Sequence, residues 1–244
     1  MQKSFVLNKN QCSSCSLHDV CLPSGLQTED FSRLDHVIKV SRRLKKGEYL
    51  FHVGEPFSSL YAIRTGFFKT SVNTHDGRDQ VTGFFMSGEL MGMNGISSGI
   101  YTNDAVALED SEVCELPFDN LEQINQSIPE LSTHFFRLLS REIVRNQNVM
   151  LLLGNMRAEE RLASFLLNLS QRLAARGFAA NDFILRMSRE EIGSYLGLKL
   201  ETVSRTLSRF NHDGLIDVEH KHIRILKPDL LRELVSGCSH KMIL

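Results

Sequence analysis

The chain has 244 residues, 42% of them hydrophobic, and a formal net charge of −1. That length suffices for one large or two medium globular domains, and the charge excludes a polycation that coats nucleic acid by bulk attraction. No run approaches the roughly 18 consecutive apolar residues of a membrane span, and the start Met-Gln-Lys-Ser-Phe-Val-Leu lacks the pattern of a secretion signal. A cytoplasmic protein with reduced thiols is therefore expected, with no membrane partner.

Residues 1–25 form a polar, cysteine-rich segment in which Cys12-x₂-Cys15-x₅-Cys21 places three thiols within ten residues. Thiolates at that density in a reduced compartment serve metals, and the spacing alone leaves zinc and an iron–sulfur cluster both open. A four-thiolate site needs one more ligand, and Cys114 and Cys238 are the candidates. A lone Cys114 in a strand is otherwise a buried small hydrophobe. Cys238, in an unpatterned tail, is read as a surface thiol.

Residues 26–126 read as a β domain. Short apolar runs (Tyr49–Phe51, Leu60–Ile63, Val81–Phe85) alternate with turn signals such as Lys46-Gly47-Glu48, Arg64-Thr65-Gly66 and Ser87-Gly88-Glu89. Such spacing predicts an antiparallel barrel or sandwich. Residues 127–156 predict a long helix starting near Ser127-Ile128-Pro129-Glu130. Its apolar residues Phe135, Leu139, Ile143, Met150 and Leu153, with Asn146 between, have the spacing of a coiled-coil seam, although a helix packed on its own β domain has that spacing too. The polar Asn146 favours the seam, with Ile143, Asn146 and Met150 as the dimerisation residues.

Residues 157–244 read as a DNA-binding domain. From Arg157 onward 14 Lys and Arg stand against 11 Asp and Glu, whereas the residues before it hold 14 against 18. An amphipathic helix over Ala158–Arg176 ends at Gly177. Ser188-Arg189-Glu190-Glu191 fits a capping box, and the short helix that follows stops at Gly197. A second helix, from about Leu200 to His212, packs through Val203, Leu207 and Phe210. Its other stripe presents Glu201, Ser204, Arg205, Ser208 and Arg209. Arg can bond guanine O6 and N7 in bidentate fashion, Glu accepts from cytosine N4 and Ser is adaptable, which suits a major groove. Leu215–Val218 and Ile223–Leu226 then read as a hairpin wing. No nucleophile elbow, phosphate-binding glycine loop or paired-carboxylate signature is present, so an enzyme is not expected.

In this order the pieces resemble the fumarate and nitrate reduction regulator (FNR) branch of the cyclic-AMP-receptor superfamily. The likeness rests on Cys12, Cys15, Cys21 and Cys114, on Ser58–Gly66 and Gln80–Phe84, on Ala158–Ala163, and on Ile192-Gly193-x-Tyr195-Leu196-Gly197-Leu198 with Glu201-Thr202-Val203-Ser204-Arg205. It implies an α+β chain: an N-terminal β-roll like the cyclic-nucleotide-binding domain, a long dimerisation helix and a C-terminal winged helix-turn-helix. It implies a [4Fe–4S] cluster on those four cysteines and a homodimer on double-stranded DNA. Glu201, Ser204 and Arg205 would read the TTGAT half-site of a palindrome such as TTGAT-N₄-ATCAA. Oxygen would destroy the cluster and switch the regulator off. The alternative is a regulator with zinc at the same cysteines, or one answering to another small molecule.

Further expectations concern single residues. RNA polymerase would be met by the turn around Asp76, Gly77 and Asp79. Ser16 and Val20, beside cysteines, would set the rate at which oxygen arrives. Cyclic AMP is not expected, because Tyr101–Ala105 supplies no Arg and Asp104 would meet a phosphate unpaired. Asn146 stands where the family commonly carries Asp. Two Asp would repel across the seam, so this dimer is expected to outlast cluster damage.

Overall fold

The computed structural model of the chain describes residues 12, 15, 21, 28–37, 39–73, 79–121 and 128–236. Ser16, Val20, Asp76, Gly77 and Cys238 lie outside them. The elements begin with helix α1 (Thr28–Val37) and strands β1 (Lys39–Leu44), β2 (Tyr49–Phe51), β3 (Ser59–Thr65), β4 (Phe67–Asn73) and β5 (Asp79–Met86). Strands β6 (Leu90–Met91), β7 (Asp104–Ala107) and β8 (Ser111–Pro117) precede the long helix α2 (Pro129–Asn155). Then come α3 (Ala158–Ala174), β9 (Asp182–Ile184), α4 (Arg189–Leu196), α5 (Leu200–His212), β10 (Ile216–Glu219), β11 (His222–Ile225) and α6 (Pro228–Ser236). The chain divides into two compact units, Met1–Thr70 with Phe84–Ser140, and Ser71–Gly83 with Arg141–Leu244. No helix among the described residues is long and apolar enough to cross a membrane.

Two four-stranded sheets, ordered β1-β8-β3-β6 and β2-β7-β4-β5, form the β-roll. Successive side chains of a strand point to opposite faces, and β3 and β8 use both. Tyr61, Ile63 and Val113 enter the core with Phe51, Phe68 and Tyr101. The residues between them, Leu60 and Ala62 on β3 and Cys114 and Leu116 on β8, pair in register as Leu60 with Leu116 and Ala62 with Cys114. Leu60 and Leu116 belong to a second apolar cluster with Leu34 of α1 and with Leu131 and Phe135 of α2. Alternation alone thus carries Cys114 out of the core and onto the side covered by helices.

Helix α2 starts at Pro129, whose missing N–H costs nothing in a first turn. Leu131, His134, Phe135 and Leu138 recur at the spacing of one helix face, and all four line a cavity against the β-roll. A second stripe leaves Phe136, Ile143 and Met150 exposed by 67%, 59% and 64%. With Leu139, Asn146 and Leu153 between them, these residues alternate by three and four, the spacing of a coiled-coil seam. The sequence reading places Phe135 in that seam. The structure corrects this: Phe135, one turn after buried Leu131, faces inward, and Phe136 takes the outer place. Fully burying each large apolar side chain is worth about 1.5–3 kcal/mol.

The helical unit is held by a three-stranded sheet, β10-β11-β9, and by the apolar sides of its helices. Val203, Leu207 and Phe210 of α5 are buried, as are Ile192 and Leu196 of α4 and Leu162 and Leu166 of α3. The strand-like run Phe183–Leu185 is realised as β9, with Phe183 paired to Ile223 of the wing.

Candidate functional sites: a cysteine-lined cavity and a DNA-reading helix

The first site lies wholly in the β-roll unit. Cys12, Cys15, Cys21 and Cys114 line one cavity of about 100 Å³, together with Leu34, Leu60, Ala62 and the inner face of α2. Residues about a hundred positions apart therefore converge. The segment carrying the first three cysteines is tied at both ends: the Cys12 amide donates to Asp35 Oδ1 of α1 at 2.7 Å, and the Cys21 carbonyl lies 3.2 Å from His134 Nε2 of α2. A carbonyl only accepts, so the His134 nitrogen carries the proton.

Burial first, then the Asp35 carboxylate and the other three sulfurs, pushes the Cys12 thiol up to about 12. Burial also raises Cys114, against the opposing pull of the Arg64 guanidinium. Thiols so placed stay protonated at neutral pH until a cation takes up the charge. The donor set suits a thiophilic metal group. Four thiols lining one cavity are a donor set that serves zinc or an iron–sulfur cluster.

The second site is on the helical unit. Ser188 Oγ accepts from the Glu191 amide at 3.1 Å, and Glu191 Oε2 accepts from the Ser188 amide at 2.7 Å, closing the expected capping box. The turn to the next helix depends on two glycines. Gly197 sits in the left-handed region at φ 62, and a Cβ on Gly193 would lie 2.6 Å from the Leu198 carbonyl. These hold α5 with Glu201, Arg205, Ser208 and Arg209 exposed and Ser204 half-buried. Arg209 forms an ion pair with Glu159 of α3. Glu201 and Arg205 lie toward the start of the exposed stripe.

Residues 160–234 match the Crp-like helix-turn-helix domain and residues 41–127 the cyclic nucleotide-binding domain. The chain is 47% identical to the transcriptional activator protein anr of Pseudomonas aeruginosa, over 96% of each chain. It is 43% identical to the fumarate and nitrate reduction regulatory protein of Escherichia coli, over 91% of this chain and 89% of that one. The FixK2 structure from Bradyrhizobium japonicum superposes with a TM-score of 0.73 at 31% identity, covering 80% of this chain and 96% of that one. The chain belongs to the FNR branch of the CRP/FNR superfamily.

As an FNR-type protein it is a transcription regulator rather than an enzyme, binds DNA through the helix-turn-helix and acts as a dimer. Along α2, Phe136, Ile143 and Met150 form an exposed apolar stripe. Two contacts are not visible from sequence. That of His134 is hidden because its partner is a backbone atom 113 positions away. Arg161 donates to the carbonyls of Leu153, Met156 and Leu196, tying the end of α2 to the end of α4. Its three acceptors are again backbone atoms, which leave no trace in residue identity.

Asp104 does not stand free to repel a phosphate: its buried carboxylate accepts from the Val53 amide at 2.9 Å and sits 3.4 Å from His52 Nδ1. Asp79, expected beside a polymerase-contacting turn, opens β5, and its carbonyl accepts from Ser194 Oγ of α4 at 2.8 Å.

Proposed function

We propose that this chain is an oxygen-responsive regulator whose dimerisation and DNA binding depend on a [4Fe–4S] cluster held by Cys12, Cys15, Cys21 and Cys114. The observation that carries the reading is the convergence of these four thiols on one apolar cavity beneath the first turns of α2. When bound, a cluster of this kind supplies iron–sulfur bonds that oxygen attacks. Cys12, Cys15 and Cys21 then fasten the N-terminal segment to Cys114 of β8. Leu131, Phe135 and Leu138 keep that side of α2 seated, while Ile143, Asn146 and Met150 meet their symmetry mates.

Glu201, Ser204 and Arg205 read TTGAT half-sites, with Ser208 and Arg209 alongside. When the cysteines let go, the seam weakens and one half-site retains only part of the contacts. Tyr101–Ala105 offers no Arg to a cyclic nucleotide phosphate, so cyclic AMP has no place in this reading. The protein works in the cytoplasm and meets RNA polymerase.

The test is purification without air, with the visible spectrum, iron and acid-labile sulfide measured before and after air is admitted. A brown protein with nearly equal iron and sulfide that bleaches in air supports the cluster. A colourless protein that holds zinc or no metal removes the oxygen-sensing reading and leaves DNA binding standing.

A further inference from the structure

Helix α2 has two jobs on two faces, and the residues that separate them are adjacent in sequence. Leu131, His134, Phe135 and Leu138 turn toward the four cysteines, while Phe136 opens the exposed stripe two positions after His134. Most of the inner face is apolar. Apolar packing decides which face of a helix turns inward, but its contacts are non-directional one by one and a slight rotation or slide costs them little. His134 is different: its Nε2–H points at the Cys21 carbonyl, 3.2 Å away, and that carbonyl belongs to the backbone of a cysteine. A hydrogen bond with a set acceptor does fix rotation, and it weakens steeply when its angle opens.

We infer that His134 is the positioning residue through which the cysteine segment sets α2 for dimerisation, a role that rests on the cluster reading above. With all four cysteines engaged, the Cys21 carbonyl is held where His134 can reach it, and the hydrogen bond sets the rotation at which Phe136, Leu139 and Ile143 present one seam. When Cys21 is released, the acceptor leaves with it. The apolar contacts of Leu131, Phe135 and Leu138 then persist but hold the fine rotation less closely. Dimerisation therefore weakens by loss of alignment, while the helix stays folded. The cysteine segment is braced at its other end by Asp35, which accepts from the Cys12 amide. That contact runs to α1, which carries no seam, so it steadies the segment without transmitting its state to the dimer.

The experiment compares His134→Leu with His134→Gln in the full chain. Gln can place an N–H donor near the position of the histidine Nε2, whereas Leu fills similar space with none. For the wild type and both variants, iron and sulfide content and the visible spectrum are recorded without air. The dimer dissociation constant is measured by sedimentation, first loaded and then after the cluster is stripped by chelator. The wild type tightens its dimer strongly on loading. His134→Leu is expected to load normal iron and sulfide with an unchanged spectrum, yet to lose about tenfold of that tightening, since each dimer carries two of these bonds. His134→Gln is expected to restore most of it.

A His134→Leu protein with wild-type tightening overturns the proposal, as does a His134→Gln protein no better than His134→Leu. Failure of His134→Leu to take up iron also overturns it, by showing a role in building the site. A wild type that takes up no iron defeats the cluster reading itself, and that failure is recognised from the wild-type metal content alone.

Discussion

The helix-turn-helix and the cysteine cavity are both assembled from short motifs, yet the chain specifies them differently. In the helix-turn-helix the cap and the turn are set locally. Ser188 and Glu191 cap each other three residues apart, Gly193 admits the Leu198 carbonyl, and Gly197 supplies the left-handed turn. The cavity is the opposite case. Its cysteines come from a polar segment and a distant strand, and its walls come from α1, β3 and the inner face of α2. A turn set by local rules depends little on remote contacts for its shape, which suits a part that reads DNA. A site gathered from remote parts can be undone by losing a single link, which suits the sensing role proposed for it.

That contrast can be broken in order of expected effect. Cys114→Ser should remove iron while leaving the β-roll folded, because Cys114 lies outside the inter-sheet core. With two-site binding worth about 10²–10⁴-fold over one site, anaerobic affinity for the palindrome should fall on the order of a thousandfold. An unchanged affinity would separate the cavity from the DNA response. Arg205→Ala should leave the iron content and spectrum intact. A bidentate base contact is worth about 1–3 kcal/mol, so two half-sites should lose on the order of a hundredfold, with discrimination relaxed at one base pair. Uniform weakening across sequences would reassign Arg205 to the phosphates.

Phe136→Ala tests the corrected seam. Partial burial of a ring worth about 1.5–3 kcal/mol when fully covered predicts a dimer roughly tenfold weaker by sedimentation, with DNA contacts of the monomer unchanged. Asn146→Asp, which sets two carboxylates across the seam, should loosen the air-exposed dimer about fivefold, the equivalent of about 1 kcal/mol. Complete conversion of the air-exposed wild type to monomer at low micromolar concentration contradicts the role given to Asn146.

The smallest effect is in the wing. Hydrogen bonds from His222 and Arg224 hold the Asp182 carboxyl below its usual 3.8. A depressed pKa stabilises the fold above the ordinary carboxylate value and ceases to do so as pH falls through the folded one. Asp182→Asn should therefore flatten the acid limb of a thermal-melt series below about pH 4, with little change at neutral pH. An identical acid limb in the variant removes the Asp182 pairing from the wing's stability.

Legibility in the sequence follows the same division. Capping, turn glycines and the two stripes of α5 are all read at separations of a few residues, and the structure reproduces them. The β-roll was legible as turns and short runs, but not the fact that Cys114 faces outward, which depends on its pairing with Ala62. Helix α2 shows the limit most sharply. Phe135 and Phe136 are adjacent, both fit an apolar stripe, and only the partner of Leu131 decides which one turns inward. Asp104 misled for a related reason: a carboxylate in a loop reads as a free charge until the Val53 amide that it serves is known. His134 and Arg161 bind backbone carbonyls, which every residue type offers alike.

The most direct measurement follows one anaerobic sample as air is admitted, recording the visible absorbance and the fraction of a labelled TTGAT palindrome bound. The cluster reading predicts that DNA release tracks bleaching, and that Cys114→Ser starts colourless and unbound. Full DNA affinity after the colour has gone, or in a protein that never held iron, would contradict it.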